Sequence, residues 1–198
     1  MGCIEVCKTV VKWEHTIHKN KGKYQVQIYT DDPIGIETKE HYWLSDLLPT
    51  DAVTFLDGKK TFWRSENSDS FGDIDVRPEW IRVGRNGKFG IVAYQYKQKK
   101  GVKPKVITER SYSRRSKMLV YPTLKITGKT ILPINNDSII MRSDGLIYFY
   151  KDKKVGLFPL NKVPVYDEIT QDTESFYRIV KNGITGWLDI KTDKEYWK

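Results

Sequence analysis

Cysteine and long apolar runs are both scarce in this sequence of 198 residues. Cys3 and Cys7 are the two cysteines, and such a pair does not build a disulfide framework, so a reducing compartment is expected. The longest apolar stretches, such as Leu146 to Tyr150, are far too short to cross a bilayer. Charged residues also interrupt the opening positions, where a secretory signal would need an unbroken apolar core. We therefore expect a cytoplasmic protein that has no membrane partner.

Histidine is scarce as well, and four of the five Cys and His residues lie within the first 18 positions. The spacing of Cys3, Cys7, His15 and His18 does not match that of a zinc finger. On a strand the two sulfur atoms would lie about 13 Å apart, which is too far for them to share one ion. The sequence also lacks the Gly-x-Ser-x-Gly motif of a nucleophile elbow. These absences predict a protein with no bound metal, no cofactor and no enzymatic activity.

Positive charge is abundant, but it is concentrated in one segment. The net charge of +9 comes from 34 Lys and Arg residues against 25 Asp and Glu residues. Between residues 94 and 117 a single acid, Glu109, accompanies nine basic residues. Such a local patch predicts a contact surface for a negatively charged partner. The nine candidate partner-binding residues are Lys97, Lys99, Lys100, Lys103, Lys105, Arg110, Arg114, Arg115 and Lys117.

Tyrosines are interleaved with these cations, at Tyr94, Tyr96, Tyr112 and Tyr121. Cations for phosphates together with ring faces for stacking are typical of nucleic-acid surfaces. An arm that docks on an acidic protein neighbour would use the same residues. So would a solvated hairpin that only keeps the protein soluble. All three interpretations stay open at the level of the sequence.

Strand and hairpin signals dominate the chain. Tyr24 to Tyr29 alternates apolar and polar residues, as a half-buried strand does. One stretch, Lys39 to Leu48, places its apolar residues on one helical face before Pro49. We therefore predict an all-β protein of mainly antiparallel hairpins and meanders, with one or two short helices. Four dipeptides favour tight hairpin turns: Asp57-Gly58, Asn86-Gly87, Asp144-Gly145 and Asn182-Gly183.

A repeated hairpin is the most informative pattern in the sequence. Residues 81–92, 147–158 and 177–188 each carry a polar turn residue followed four positions later by glycine. Apolar residues precede each turn at alternate positions, which predicts one buried face on the first strand. The glycine is expected where a side chain would clash with a neighbouring strand. The turn residues are Asn86, Asp152 and Asn182, and the glycines are Gly90, Gly156 and Gly186.

A third strand follows some of these hairpins and completes a small meander. The runs from Gly128 to Ile139 and from Val163 to Ile169 share a proline and then an Asp before an isoleucine. For Asp167 this pattern predicts a structural role, a turn held by its side chain and the backbone. Gly156 and Gly186 are 30 residues apart, a period within the range of repeat architectures.

These residues resemble the WG-repeat family, whose units run from a Lys-Asn-Gly-x-x-Gly hairpin through a Gly-Lys-x-x-x-Pro strand to Tyr-Asp-x-Ile. The resemblance covers about residues 80–190, and Val180–Asp189 and Pro164–Ile169 carry it most clearly. It implies β-rich repeats with interaction roles and no chemistry. The sequence departs from the family in lacking its Trp-Gly dipeptide, since Phe89, Val155 and Thr185 stand at the Trp position.

The expected organisation is an N-terminal β-rich region over residues 1–78, followed by degenerate WG-like repeats over 79–198. A basic insertion is expected at about 94–127, and Ser65 to Gly72 is a candidate linker.

The expected function is a non-enzymatic protein-interaction or scaffold module. The alternative is a structural subunit of a large assembly, such as a phage or virion tail or neck component. Its basic arm would then contact neighbours or nucleic acid, in a virion rather than the cytoplasm. Partners are expected to be another protein or further copies of the chain, with nucleic acid as a possibility through the basic arm.

Overall fold

The described residues are all-β, which confirms the predicted fold class. In a computed structural model of the chain they form 17 strands in four mainly antiparallel sheets. They contain no helix, so the expected one or two short helices are wrong for this part of the chain. The structure describes residues 12–32, 36–56, 79–110, 115–142 and 146–198.

The chain divides into two compact units whose parts alternate along the sequence. Unit 1 comprises Met1–Pro49 and Gln95–Gly128, and unit 2 comprises Thr50–Tyr94 and Lys129–Lys198. The second part of unit 1 coincides closely with the basic insertion expected at about residues 94–127. Unit 1 contains 16 Lys and Arg residues against 8 Asp and Glu, a net of +8, whereas unit 2 contains 18 against 17, a net of +1. Almost the whole charge imbalance therefore belongs to unit 1.

Unit 1 is one sheet with the strand order β1-β2-β3-β8-β7, and β9 also pairs with β3. β1, β2 and β3 are antiparallel, and β3 pairs in parallel with both β8 and β9. The predicted strand from Tyr24 to Tyr29 is confirmed within β2, where Val26 and Ile28 are buried. The strands are β1 Lys12–Asn20, β2 Lys23–Asp32, β3 Ile36–Leu44, β7 Lys105–Arg110, β8 Arg115–Val120 and β9 Leu124–Ile126.

The expected helix between Lys39 and Leu48 is wrong because the first part of that stretch is the end of β3. Tyr42 and Leu44 are buried on one face, and Trp43 lies half-buried on the other. A short apolar run fits both a helical face and a strand, so its periodicity does not decide between them. Pairing with β2 on one side and β9 on the other selects the strand.

Unit 2 contains three successive sheets of similar design. In each, a first strand precedes a tight hairpin, and a later segment pairs with the second strand of that hairpin. In the middle sheet this later segment is short, and Tyr166 makes an isolated bridge to Val155. The first sheet is β4 Ala52–Phe55, β5 Trp80–Arg85, β6 Lys88–Ala93 and β10 Lys129–Asn136. The second is β11 Ser138–Met141, β12 Ile147–Lys151 and β13 Lys154–Phe158, and the third is β14 Glu168–Gln171, β15 Phe176–Lys181, β16 Ile184–Asp189 and β17 Lys194–Trp197.

The expected boundary between residues 78 and 79 differs from the division into units. β4 before it pairs with β5 after it, so both sides of that boundary belong to one sheet of unit 2. The candidate linker from Ser65 to Gly72 lies outside the described residues.

The three hairpins of unit 2 turn at the positions that the repeated pattern predicts. Each turn has two central residues with positive φ, as type I′ turns require. The φ values are 50° and 71° at Asn86-Gly87, 50° and 63° at Asp152-Lys153, and 53° and 78° at Asn182-Gly183. The other two predicted turns, Asp57-Gly58 and Asp144-Gly145, lie outside the described residues.

Two apolar cores hold the three sheets of unit 2 together, one between each successive pair. Adjacent residues of β12 pack into different cores, because successive side chains of a strand point to opposite faces. Phe149 packs into the first core with Ile91 and Leu132, while Tyr148 packs into the second with Tyr177 and Leu188. The middle sheet is therefore buried on both faces.

An aspartate precedes the first strand of each sheet of unit 2, and in the second and third sheets it links successive hairpins. Asp137 precedes β11 and accepts hydrogen bonds from the Lys88 ammonium at 2.5 Å and the Asp152 backbone N–H at 2.9 Å. Lys88 follows the turn of the first hairpin, and Asp152 lies in the turn of the second. One carboxylate thus connects two neighbouring turns.

Asp167 repeats this arrangement one sheet further along. Its carboxylate accepts from the Lys154 ammonium at 2.5 Å and from the Gly183 backbone N–H at 3.4 Å. The side chain of Asp167 therefore has a structural role, but it bonds the backbone of the distant 182–183 turn and not that of a turn of its own. Asp51 precedes β4 in the same way, and both Nε and Nη2 of Arg85 donate to it, at 2.9 and 2.8 Å.

These aspartates predict a pH-dependent part of the stability of unit 2. Hydrogen bonds from the lysine ammoniums, followed by those from the turn N–H groups, lower the pKa of Asp137 and of Asp167. A carboxyl with a lowered folded-state pKa stabilises the fold above its unfolded pKa of 3.8 and loses that contribution as the pH falls through the folded pKa. We expect the Asp137→Asn, Asp167→Asn double variant to be less stable than wild type at neutral pH.

The measurement is urea unfolding of both proteins at neutral pH and at a pH below the lowered pKa values. The stability gap between them should close at the acidic pH. Glu174→Gln serves as the control, because Glu174 is an exposed acid of the same unit. A gap of equal size at both pH values would show that the two ionised carboxylates contribute nothing.

Candidate interaction surface

The basic segment forms the outer part of the unit 1 sheet. An irregular stretch over residues 94–104 leads into the antiparallel hairpin of β7 and β8. β8 joins this hairpin to β3, and β7 is the outermost strand. No other strand in the described ranges pairs with the outer edge of β7. Within those ranges the outward backbone N–H and C=O groups of β7 therefore have no strand partner.

Side chains alternate between inward and outward along the stretch before β7. The Tyr96 ring packs edge-on against Tyr42, with 5.1 Å between ring centroids, and Gln98 donates a 3.5 Å hydrogen bond to the Tyr42 hydroxyl. Lys97 and Lys99, at the positions between and after them, are exposed. The inward residues thus hold the stretch on β3 while the lysines face solvent.

Tyr42 is a neutral anchor for this stretch. The residue is fully buried, and its hydroxyl donates to Glu40 Oε2 at 2.6 Å. Burial raises the pKa of Tyr42 far above its usual value, and the hydrogen bond to Glu40 adds to that effect. The phenol therefore stays protonated at any physiological pH.

A tight turn presents the next lysine. The Val102 N–H donates to the Lys99 carbonyl at 3.2 Å, and Gly101 has a φ of 86°. A positive φ at the third residue of a four-residue turn is the requirement of type II, which glycine meets without strain. Lys100 therefore stands at an ordered corner and not on a free tail.

The structure brings six of the nine candidate residues to the surface of unit 1. All six are exposed, and no carboxylate in the described part of the chain forms a salt bridge with any of them. Arg110 and Arg115 lie at the ends of β7 and β8 nearest their connection, and Arg114 lies outside the described residues. The six are Lys97, Lys99, Lys100, Lys103, Lys105 and Lys117.

Two of the four interleaved tyrosines do not present a free ring face for stacking. Tyr94 is buried in unit 2 with 1% of its surface exposed, and Tyr96 packs on Tyr42. Tyr121 is half-buried, and Tyr112 lies outside the described residues. Sequence proximity to lysine suggested ring faces beside the cations, but the rings of Tyr94 and Tyr96 pack against other residues of the protein.

Sequence reasoning missed a pocket at the end of the β1–β2 hairpin. It has a volume of about 660 Å³ and lies between that hairpin, the residues after β3, and β9. Its lining includes Trp43 and the three cations Lys21, Lys23 and Lys125. These positions are far apart in sequence, so no local pattern links them.

Exposed apolar residues on the third sheet of unit 2 were also missed. Phe176 and Tyr196 lie with ring centroids 6.4 Å apart, and Ile184 and Trp197 are exposed on the same sheet. The Lys198 ammonium lies 5.0 Å from the centroid of the Trp187 ring. This surface belongs to the nearly neutral unit and contains none of the nine candidate residues.

The two histidines that the sequence places near the cysteines lie on β1. His15 pairs with Ile28 and His18 with Gln25, so the two side chains project to opposite faces of the strand. His18 Nε2 lies 2.7 Å from Gln25 Oε1. Cys3 and Cys7 lie outside the described residues. Within the part of the chain that the structure describes, no three metal-binding side chains cluster in a way that could hold an ion.

No protein-family model matches the chain, and no curated protein is significantly similar to it. The WG-repeat resemblance therefore stays a prediction from the sequence. In the described ranges, no helix has the length and apolar character needed to cross a membrane.

Proposed function

We propose that this protein is a non-enzymatic interaction module that binds an acidic, extended segment of a partner protein along β7. The observation that carries the proposal is an outer edge of β7 that no described strand pairs with, together with the exposed lysines at the start of β7 and on the stretch that leads into it. Unit 2, with sheets joined through shared cores, would act as the rigid body of the module.

Strand addition explains why both features occur together. A peptide that extends a sheet gains main-chain hydrogen bonds from the edge, and its alternate side chains supply specificity. On β7, Lys105 is exposed toward one face and Val106, 56% exposed, toward the other. An acidic strand would place carboxylates against the lysines and apolar side chains against Val106.

Lys105 on β7, together with the lysines just before it, disfavours pairing of β7 with a second copy of itself. Lysine on an edge strand discourages edge-to-edge association, because two cationic strands repel each other. A partner of opposite charge avoids this cost. The cationic stretch that leads into β7 thus favours an acidic strand and disfavours self-association through this edge.

A protein partner is favoured over nucleic acid by the placement of the tyrosines. Binding of single strands combines cations with ring faces on which bases stack. Here the Tyr94 ring is buried in the other unit and the Tyr96 ring packs on Tyr42. The lysine charges stay exposed, whereas the rings of Tyr94 and Tyr96 are packed against other residues and do not offer faces for bases to stack on.

Removing the lysine charges should weaken the binding of an acidic peptide. Four exposed charge pairs of modest strength predict a loss of roughly tenfold or more in affinity at low ionic strength. The measurement is fluorescence anisotropy with a labelled peptide of alternating glutamate and valine, titrated at low and high salt. The variant replaces four lysines by glutamine: Lys97, Lys99, Lys103 and Lys105.

A control variant changes the same number of charges in unit 2. Both variants lower the net charge from +9 to +5, so a general charge effect would weaken both equally. Equal weakening, or a single-stranded oligonucleotide that binds more tightly than the acidic peptide, would overturn the proposal. The control replaces four exposed lysines by glutamine: Lys129, Lys153, Lys162 and Lys194.

A further inference from the structure

We propose that the pocket at the end of the β1–β2 hairpin binds a planar ring that bears a phosphate, as a nucleoside phosphate does. Such a ligand is either a free nucleotide or the terminal nucleotide of a nucleic-acid strand. This site is separate from the surface of the proposed function, because none of the pocket residues lies on β7 or among the nine basic candidates.

The walls of the pocket are held in place by hydrogen bonds. After β3, Ser45 Oγ donates to the Ile126 carbonyl at 2.9 Å, and Asp46 Oδ1 accepts from the Gly128 N–H at 3.3 Å. On the other side, the Lys19 ammonium donates to the Pro49 carbonyl. The residues after β3 are therefore fixed both to β9 and to the β1–β2 hairpin, and the cavity is preformed.

Trp43 provides an apolar surface in the pocket. It pairs with Gln25 on β2 and with Lys125 on β9, so these three side chains form one row across the same face of the sheet. Neighbouring strands lie about 4.8 Å apart, which places the Lys125 stem beside the indole. A half-buried indole with a cation next to it suits a flat ring whose charged group lies at one edge.

The charge of the pocket specifies the second part of the ligand. Lys21, Lys23 and Lys125 are exposed lysines, and the ten described residues that line the cavity include no Asp or Glu. A single carboxylate would leave most of this positive charge unbalanced. A phosphate near neutral pH carries close to two negative charges and accepts several hydrogen bonds, so it matches three ammonium groups better.

The size of the cavity agrees with a small ligand and not only with an ion. Its volume of about 660 Å³ falls in the range of small-molecule sites. Leu44, Leu47 and Pro49 add apolar surface to the lining. An ion alone would use the lysines and leave this apolar part of the cavity empty.

Titration of the full chain with adenosine monophosphate, adenosine and inorganic phosphate, followed by calorimetry, tests the proposal. We expect the monophosphate to bind at least roughly tenfold more tightly than either part alone, because the two halves of the site act on one molecule. The variant Lys21→Gln, Lys23→Gln, Lys125→Gln should lose roughly tenfold or more in affinity for the monophosphate. These lysines are exposed, so their replacement leaves the fold intact.

Two further titrations separate the pocket from the β7 surface and a free nucleotide from a strand end. The glutamine variant at Lys97, Lys99, Lys103 and Lys105 should bind the monophosphate as wild type does, whatever its affinity for an acidic peptide. An oligonucleotide with a terminal phosphate, compared with one that lacks it, distinguishes a strand end from a free nucleotide. Equal binding of phosphate and monophosphate, no binding of the monophosphate, or unchanged affinity in the triple variant would each overturn the proposal.

Discussion

Replacement of Gly90 by alanine should destabilise unit 2 by about 3 kcal/mol or more, at the upper end of what overpacking costs. A Cβ at this position would lie 2.7 Å from the Leu132 carbonyl oxygen and 2.7 Å from the Ile134 backbone nitrogen. Both atoms belong to β10, so the added methyl can fit only if β10 separates from β6. Leu132 pairs with Ile91, and Ile134 lies in the irregular stretch between the pairings of Leu132 and Asn136. Unlike the end of a flexible side chain, this backbone cannot move aside without disturbing the adjacent ladder hydrogen bonds.

Gly87→Asn in the same hairpin is the matched control. Gly87 has a φ of 71°, and a Cβ added there would have no atom within 4 Å. Glycine is therefore favoured at this position by its backbone conformation and not by lack of space. Asparagine adopts positive φ more readily than other residues with a side chain. Urea unfolding should place this variant within about 1 kcal/mol of wild type. If Gly90→Ala destabilised the protein equally little, the close approach of β10 would not be the reason for glycine at position 90.

Replacement of Phe149 by alanine should cost about 3 to 5 kcal/mol, the range for loss of a large buried aromatic side chain. Phe149 has no exposed surface and contributes to the core between the first two sheets of unit 2. Its loss leaves a cavity lined by residues of both sheets. Chemical denaturation of the variant measures this cost.

The same ring covers Gly156, which predicts a specific coupling between the two positions. Phe149 and Gly156 are directly paired, and a Cβ at residue 156 would lie 2.7 Å from Cε1 and Cζ of the ring. Gly156→Ala should therefore destabilise wild type clearly, yet cost much less when residue 149 is already alanine. A double-mutant cycle measures the coupling. Additive losses would mean that the ring moves aside freely, or that Pro164, whose Cα lies 3.2 Å from the same position, sets the cost.

The local features of unit 2 were predictable because their causes are local. Asn-Gly turns require positive φ, and the two such turns in the described ranges have it. The glycine four residues after each turn residue was expected at a close approach, and Gly90, Gly156 and Gly186 all lie where a Cβ would clash. A structural role for Asp167 was expected from the repeated pattern, but its bonds to Lys154 and Gly183 join distant residues, which the pattern did not predict.

The organisation of unit 1 was not predictable, because it depends on contacts between distant segments. β3 pairs in parallel with β8 and β9, which lie about eighty residues later in the chain. No hairpin signal marks such a pairing, so the basic segment was expected as an insertion in the repeats. The pocket has the same origin, since Trp43 and Lys125 meet only through the pairing of β3 with β9. The helix expected from Lys39 to Leu48 failed for this reason too, as neighbouring strands outweigh a weak helical pattern.

Residue-resolved amide exchange tests the central claim most directly, by comparing the β7 amides of the free protein with those in the presence of the acidic peptide. We expect the amides of β7 that point away from β8 to become protected, and chemical-shift changes to be confined to unit 1. Added peptide strands protect alternate amides, because successive N–H groups of a strand point to opposite sides. Binding that leaves β7 unprotected, or that shifts mainly the exposed aromatic residues of the third sheet, would contradict the account.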